Sequence, residues 1–207
     1  MRLRERWRAT WAALELPTPP GAVFRDLMRR YREPHRAYHT LGHIRECFAQ
    51  FDAVSRSVRR PGEVLLAIWY HDAVYHPDGS LNEERSADLA REVALEAGAS
   101  RRVARRVHRL ILATRHQRRP PPGDPALLAD IDLAILGAAP RRFARYEADI
   151  RREYARVPLM IFRRTRATIL ERFLSRPSIY STRSFIRRLE APARANLTRS
   201  IVRLRGR

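Results

Sequence analysis

Residues 65–75 read Leu-Leu-Ala-Ile-Trp-Tyr-His-Asp-Ala-Val-Tyr, and this stretch decides the fold. Its apolar run predicts a buried helix from about Val64 to Tyr75. The run contains the adjacent pair His71-Asp72, and burying an unpaired carboxylate costs several kcal/mol. Something must therefore neutralise Asp72. A cation held between helices would do so, and so would a salt bridge to one of the many arginines.

Helical periodicity also dominates the rest of the chain, and strand alternation is hard to find. Residues 117–125, Gln-Arg-Arg-Pro-Pro-Pro-Gly-Asp-Pro, form the clearest loop. The other helices are expected at about 3–14, 22–31, 40–58, 82–97, 100–116, 125–136, 140–157, 159–174 and 182–202, the last of them broken near Pro192. We therefore expect an all-α protein, a single domain over residues 1–207 with about nine helices.

Composition narrows the class of protein. The chain has 207 residues, of which 44% are hydrophobic and 31% are charged, so neither a disordered tail nor a membrane protein fits. Its one cysteine, Cys47, excludes an intramolecular disulfide framework and a cysteine-based zinc knuckle. These features predict a cytoplasmic protein, and the sequence leaves its oligomeric state open.

The charge is strongly and unevenly positive. The net charge is +20, and all 42 basic residues are arginine. Residues 141–207 hold 19 arginines against 5 acidic residues, so the excess lies mostly in the C-terminal third. Such a field favours anionic partners, either phosphates or nucleic acid. The arginines that favour nucleic acid are Arg151, Arg152, Arg156, Arg163, Arg164 and Arg166.

Three histidines, His35, His39 and His43, fall within nine residues. Because His39 and His43 are four positions apart at a helix start, they can share one face, and imidazole is a common ligand of divalent transition metals. The alternative is that these histidines are polar surface residues, or that local hydrogen bonds satisfy their ring nitrogens. Farther along, Asp130 and Asp132 place two more carboxylates in an apolar helix, where a shared cation or a local hydrogen bond would satisfy them.

The order of these signals resembles the HD superfamily of metal-dependent phosphohydrolases, and in particular its branch of small bacterial predicted phosphohydrolases. The resemblance covers about residues 31–175, leaving the basic helices of 176–207 outside it. The matching motifs are Tyr38-His39-Thr-Leu-Gly-His43-Ile, Trp69-Tyr-His-Asp72-Ala-Val-Tyr75, Asn82-Glu83 with Ser86-Ala87, Ala113-Thr114 with His116, and Asp130-Ile-Asp132-Leu-Ala-Ile-Leu-Gly137.

The resemblance implies an HD-like helical bundle and one bound metal. The implied metal ligands are His43, His71, Asp72 and Asp132, with Asp132 preferred to Asp130. It further implies that Asp72 doubles as a local base and that His39 is an outer ligand or phosphate contact.

Other residues near these motifs are weaker candidates. His116 is either an additional histidine of the metal site or a basic residue that complements the dipole of a helix C-terminus. Glu83 either orients the water that attacks the substrate or is an ordinary acidic residue in the first turn of a helix. Arg36 and Arg115 are candidates for binding substrate phosphate.

The expected function is hydrolysis of a small phosphate ester, such as a nucleotide, by metal-activated water. Mixed histidine and carboxylate ligands suit Mn²⁺, Fe²⁺, Co²⁺, Ni²⁺ or Zn²⁺. The alternatives are an arginine-rich nucleic-acid-binding protein with a secondary or vestigial metal site, and a helical interaction module with a buried polar network. Chemistry on a guanine-nucleotide alarmone ranks low, because no acidic pair directly follows His71-Asp72.

Overall fold

The computed structural model describes residues 2–77 and 79–206 and is all-helical across them, as the sequence predicts. Short 3-10 turns at Ser55–Ser57, Ala113–Arg115 and Leu133–Gly137 follow three of the helices. The α-helices are α1 Leu3–Ala13, α2 Gly21–Arg30, α3 Leu41–Val54, α4 Pro61–Tyr70, α5 Asn82–Glu96, α6 Arg101–Leu112, α7 Asp124–Asp132, α8 Pro140–Glu153, α9 Leu159–Leu174 and α10 Arg183–Arg205. The described part of the chain contains no helix long and apolar enough to cross a membrane.

The chain divides into two compact units, residues 1–129 and residues 130–207, with the boundary inside α7. Whether the chain is one domain, as the sequence predicts, stays a prediction. Each unit has its own buried residues and its own polar anchors.

In the first unit α4 is the central helix, and every residue from Gly62 to Tyr70 is buried. Its Trp69 is fully buried, packs edge-on against Phe48 at 4.8 Å between ring centroids, and donates from Nε1 to Thr10 Oγ1 at 3.0 Å. Gly62 lies against α1 so closely that a Cβ there would stand 2.6 Å from the Ala13 carbonyl oxygen. Only glycine permits this approach.

Helix α4 ends earlier than the sequence predicts, at Tyr70 rather than at Tyr75. Other groups take the carbonyls that a longer helix would use. Tyr31 donates its hydroxyl to the Trp69 carbonyl at 2.9 Å, and Arg36 donates to the carbonyls of Asp72 and Ala73 at 2.7 and 3.2 Å. The last residues of the apolar run therefore leave the helix and form a turn.

In the second unit α8, α9 and α10 are fixed by buried polar contacts. Arg166 donates to Tyr146 Oη at 2.8 Å and to Glu147 at 2.5 Å, and Ser200 donates to the other oxygen of Glu147 at 2.7 Å. The carboxylate of Glu190 accepts hydrogen bonds from the backbone amides of 179 and 180. These contacts tie the three helices and the 175–182 segment together.

Helix α10 runs unbroken through Pro192, so the expected break at that residue is wrong. Proline removes one backbone hydrogen bond and strains the preceding turn. Tertiary contacts just after Pro192 fix the part of the helix that follows it. Arg194 donates to the Leu174 carbonyl at 2.9 Å, and Asn196 donates to the carbonyls of Leu136 and Ala138, both at 2.8 Å.

Candidate metal centre

His71 and Asp72 lie at the buried C-terminal end of α4, immediately after its last helical residue. Arg36 fixes this turn through its bonds to the Asp72 and Ala73 carbonyls, and it also donates to the His39 carbonyl at 3.1 Å. Arg36 is itself 7% exposed, and its Nε pairs with Glu33 at 3.0 Å. One buried guanidinium thus joins the two segments that carry the candidate histidines.

His43 enters the same region from the first turn of α3. Thr40 caps that helix, because its Oγ1 accepts from the Gly42 amide at 3.2 Å. The cap fixes where the helix begins and therefore which residue of the first turn faces inward. His43 is 2% exposed.

Three ligand-type atoms converge where these segments meet. His43 Nε2 lies 3.1 Å from His71 Nε2 and 3.4 Å from Asp72 Oδ2, and His71 Nε2 lies 3.2 Å from the same oxygen. Ligand atoms about 2.1 Å from a metal ion stand about 3.0 Å apart at an octahedral edge and about 3.4 Å apart at a tetrahedral edge. The observed separations fall in the range that a shared ion requires.

The hydrogen bonding of His71 leaves a lone pair on the nitrogen that faces the cluster. Its Nδ1 lies 3.0 Å from the Ile68 carbonyl oxygen, which only accepts, so Nδ1 is the donor, and in the neutral ring Nε2 keeps its lone pair. A backbone carbonyl that orients a ligating histidine in this way is the usual arrangement around protein-bound metals.

Asp72 Oδ2 is buried and has no hydrogen-bond partner within the described residues. Burial raises the pKa of the Asp72 carboxyl, but the charge that the neighbouring His71, His39 and His43 rings carry when protonated outweighs it and holds the pKa well below its usual range. A buried carboxylate that stays ionised beside an imidazole lone pair needs a cation between them. The donor set therefore fits a divalent transition metal.

Cys47 joins the cluster, although it is not among the ligands predicted from the sequence. Its Sγ lies 3.6 Å from His43 Nε2, and the ligand atoms of Cys47, His43 and His71 lie within 4.8 Å of one another. The thiol is 2% exposed. The signal was present in the spacing, because residues four apart on a helix share a face and Cys47 follows His43 by four.

His39 lies beside the cluster. Its ring stacks on Tyr75 at 4.1 Å between centroids and meets Tyr38 edge-on at 5.0 Å. The rings of His39 and His43 are 6.1 Å apart. His39 is therefore a neighbour of the cluster, and its role as an outer ligand or phosphate contact stays a prediction.

The remaining candidates of the first unit lie in other settings. Glu83 is in the first turn of α5, and Arg115 forms an ion pair with Glu84 of the same turn. His116 ends the 3-10 turn after α6 with a φ of +55° and lines a surface cavity. The donors of Arg36 are committed to backbone and to Glu33, which gives Arg36 a positioning role. Substrate or catalytic roles for these residues stay predictions.

The two aspartates of α7 belong to the second unit. Asp130 Oδ1 accepts from the Ser181 amide at 2.8 Å, and its Oδ2 accepts from the amide and hydroxyl of Thr182, both at 2.7 Å. Both oxygens of Asp130 are therefore engaged in holding the 181–182 segment. Asp132 is the last residue of α7, and its role as a metal ligand stays a prediction from the sequence.

Comparisons of the chain with models of protein families, with curated proteins and with solved structures gave no match. The assignment of function therefore depends on the chemistry of the site.

Proposed function

We propose that this protein is a metal-dependent phosphohydrolase that acts on a small phosphate ester, such as a nucleotide. The observation that carries the proposal is the convergence of His43 Nε2, His71 Nε2 and Asp72 Oδ2 within 3.4 Å, with the carboxylate oxygen buried and without a hydrogen bond. The resemblance to HD phosphohydrolases supplies the reaction class.

His43, His71 and Asp72 would hold the ion, with Cys47 as a further donor. Imidazole and carboxylate ligands suit Mn²⁺, Fe²⁺, Co²⁺, Ni²⁺ and Zn²⁺, and a thiolate shifts the preference toward the softer ions of this set, Zn²⁺ and Co²⁺. The resemblance adds Asp132 as a fourth ligand.

When bound, such an ion supplies Lewis acidity, which activates a water and polarises a phosphoryl oxygen. The chain's own residues do the rest. The resemblance adds a role for Asp72 as the local base, and its side chain keeps 17% of its surface exposed, so water can reach it. His71 is held in one orientation by the Ile68 carbonyl, and the turn that carries Asp72 is held by Arg36. This fixed arrangement keeps both ligands in place without reorganisation.

The test is a hydrolysis screen of protein loaded with Mn²⁺, Co²⁺ or Zn²⁺, using p-nitrophenyl phosphate, bis-p-nitrophenyl phosphate and a panel of nucleotides. We expect activity on at least one ester, lost in Asp72→Ala and His71→Ala. The matched control is Asp88→Ala, which removes a half-exposed carboxylate of the same unit that pairs with Arg91. Activity that survives in Asp72→Ala, or that falls equally in Asp88→Ala, contradicts the proposal.

A second candidate function, nucleic-acid binding, is favoured by the net charge of the C-terminal third, but the structure reduces the arginines available for it. Arg151 donates to the carbonyls of Tyr154 and Val157, Arg152 pairs with Asp149, and Arg166 is buried against Glu147. Of the six arginines that favour nucleic acid, Arg156, Arg163 and Arg164 remain exposed and available. Filter binding of a duplex and a single-stranded oligonucleotide across salt concentrations tests this candidate, and absence of binding at low salt dismisses it.

A further inference from the structure

A cavity of about 810 Å³ opens on the first unit beside α6. Its walls come from the start of α4, the second half of α6 with the turn after it, and the loop from Gln117 to Pro121. Binding sites for small ligands have volumes of about 300–1,000 Å³, so the cavity is of suitable size. Among the described residues its lining does not include His43, His71 or Asp72.

The lining is strongly cationic. Arg60, Arg106, Arg109, Arg115, Arg118 and Arg119 line the cavity together with His116, against only Glu63 and Asp124. Both carboxylates are already satisfied. Glu63 accepts from Arg106 Nε at 2.8 Å and from its terminal nitrogen at 2.5 Å, and Asp124 accepts from the backbone amides of Arg59 and Arg60 at 2.9 and 3.0 Å. Glu63 also lies 3.9 Å from Arg60 Nε, and Arg115 pairs with Glu84.

Arg109, Arg118 and Arg119 are the uncompensated cations of the cavity. All three are exposed, and none forms an ion pair within the described residues. Arg118 and Arg119 are followed by three prolines, Pro120, Pro121 and Pro122. Because proline fixes φ, the loop that presents these two arginines is stiff, and less conformational entropy is lost when they engage a ligand.

Part of the cavity lining is apolar. Leu110 is buried, and Leu112, Ala113, Pro120 and Pro125 add apolar surface to the same lining. A guanidinium group binds phosphate through two parallel hydrogen bonds, and several guanidinium groups around one cavity suit a ligand with more than one phosphate. We propose that this cavity binds a small molecule through a polyphosphate group, with the apolar surface available to the rest of the ligand.

The concave shape favours a small ligand over a nucleic acid, because a nucleic-acid backbone tracks along an extended groove rather than entering a pocket. This site is separate from the proposed catalytic function, since it needs no metal. It can be tested on protein stripped with EDTA, where failure of the phosphohydrolase proposal has no influence on the result.

The experiment is calorimetric titration of the metal-free protein with tripolyphosphate and with ATP at about physiological ionic strength, where exposed charges are screened beyond about 8 Å. The test variant is the double substitution Arg118→Ala and Arg119→Ala. The matched control is Arg101→Ala with Arg102→Ala, which removes two exposed arginines from the other end of α6. Thermal melting of both variants checks that they are folded.

We expect saturable binding of tripolyphosphate with one site per chain, weakened at least about tenfold in the 118/119 variant and unchanged in the 101/102 variant. ATP that binds more tightly than tripolyphosphate identifies a nucleotide, and equal affinities identify recognition of the polyphosphate alone. Equal weakening in both variants, or no binding of either probe, overturns the proposal. A short single-stranded oligonucleotide that binds while both small probes fail also overturns it.

Discussion

Asp72 and Asp130 present the same signal in the sequence, a carboxylate in an apolar helical segment, and the structure gives them opposite surroundings. Asp130 accepts three hydrogen bonds, from the amides of Ser181 and Thr182 and from the Thr182 hydroxyl. Asp72 Oδ2 accepts none within the described residues and faces the Nε2 atoms of His43 and His71. Asp130 therefore stabilises the fold of the second unit, whereas the surroundings of Asp72 fit a cation.

A buried carboxylate that stabilises the fold is distinguished from one that binds a ligand by its partners and not by its residue type. A satisfied carboxylate contributes stability, and its removal leaves donors without acceptors. An unsatisfied one is tolerated where a ligand completes it. The two aspartates should therefore respond differently to the same substitution.

The largest expected effect is on stability, at Asp130. Replacing Asp130 with alanine orphans three donors, and we expect the free energy of unfolding to fall by about 3 kcal/mol. The same change at Asp72 in metal-free protein should alter it by less than about 1 kcal/mol, because no hydrogen-bond donor of Asp72 Oδ2 is lost. Urea denaturation of both variants measures the difference, and equal losses would erase the distinction between the two sites.

Metal should stabilise only one of the two variants. At a free Zn²⁺ or Co²⁺ concentration about 100 times the dissociation constant, we expect the wild type to gain about 2.7 kcal/mol of stability. The gain in stability should vanish in Asp72→Ala and persist in Asp130→Ala, because Asp72 lies in the cluster and both oxygens of Asp130 are engaged elsewhere. Thermal melts with and without metal give the answer, and an equal gain in both variants contradicts the assignment of Asp72.

Substitution of Cys47 tests whether the metal cluster includes a ligand besides the histidines and Asp72. We expect Cys47→Ala to weaken metal binding by about tenfold, because Sγ lies 3.6 Å from His43 Nε2 and is a donor or a support for that histidine. Co²⁺ loaded into the wild type should show a thiolate-to-cobalt charge-transfer band that Cys47→Ala lacks. Absence of the band in the wild type would show that the thiol supports His43 without binding the ion.

The smallest effect is expected at Asp26, a half-exposed carboxylate that pairs with Arg29 and Arg30. The hydrogen bond from Arg30 is the main cause of the lowered pKa of Asp26, which burial opposes and Arg29 assists. A lowered folded-state pKa stabilises the protein at higher pH, and this stabilisation is lost as the pH falls through that pKa.

We therefore expect Asp26→Asn to destabilise the protein by less than about 0.5 kcal/mol at pH 7, and by nothing at a pH below the lowered folded-state pKa. Urea titrations at the two pH values check both the size and the sign. A larger loss at low pH would contradict the sign.

Most of the helices could be predicted from periodicity, and the differences come from tertiary contacts. The end of α4 depends on Arg36 and Tyr31, which are distant in sequence, and the continuity of α10 at Pro192 depends on anchors such as Asn196. No local pattern reports these partners.

The candidate site could be predicted in part. His43, His71 and Asp72 carry signals in spacing and in the burial of a carboxylate, and the structure brings them together. The structural role of Asp130 could not be predicted, because its hydrogen-bond partners Ser181 and Thr182 lie about fifty residues away in the sequence. Cys47 could have been included from its spacing to His43.

The proposed metal centre is tested most directly by the metal content of protein purified after growth in metal-replete medium, measured by mass spectrometry for the wild type, Asp72→Ala and Asp130→Ala. We expect about one divalent transition-metal ion per chain in the wild type and in folded Asp130→Ala, and none in Asp72→Ala. Stoichiometric metal in Asp72→Ala, or a wild type that binds no ion when metal is supplied, would contradict it.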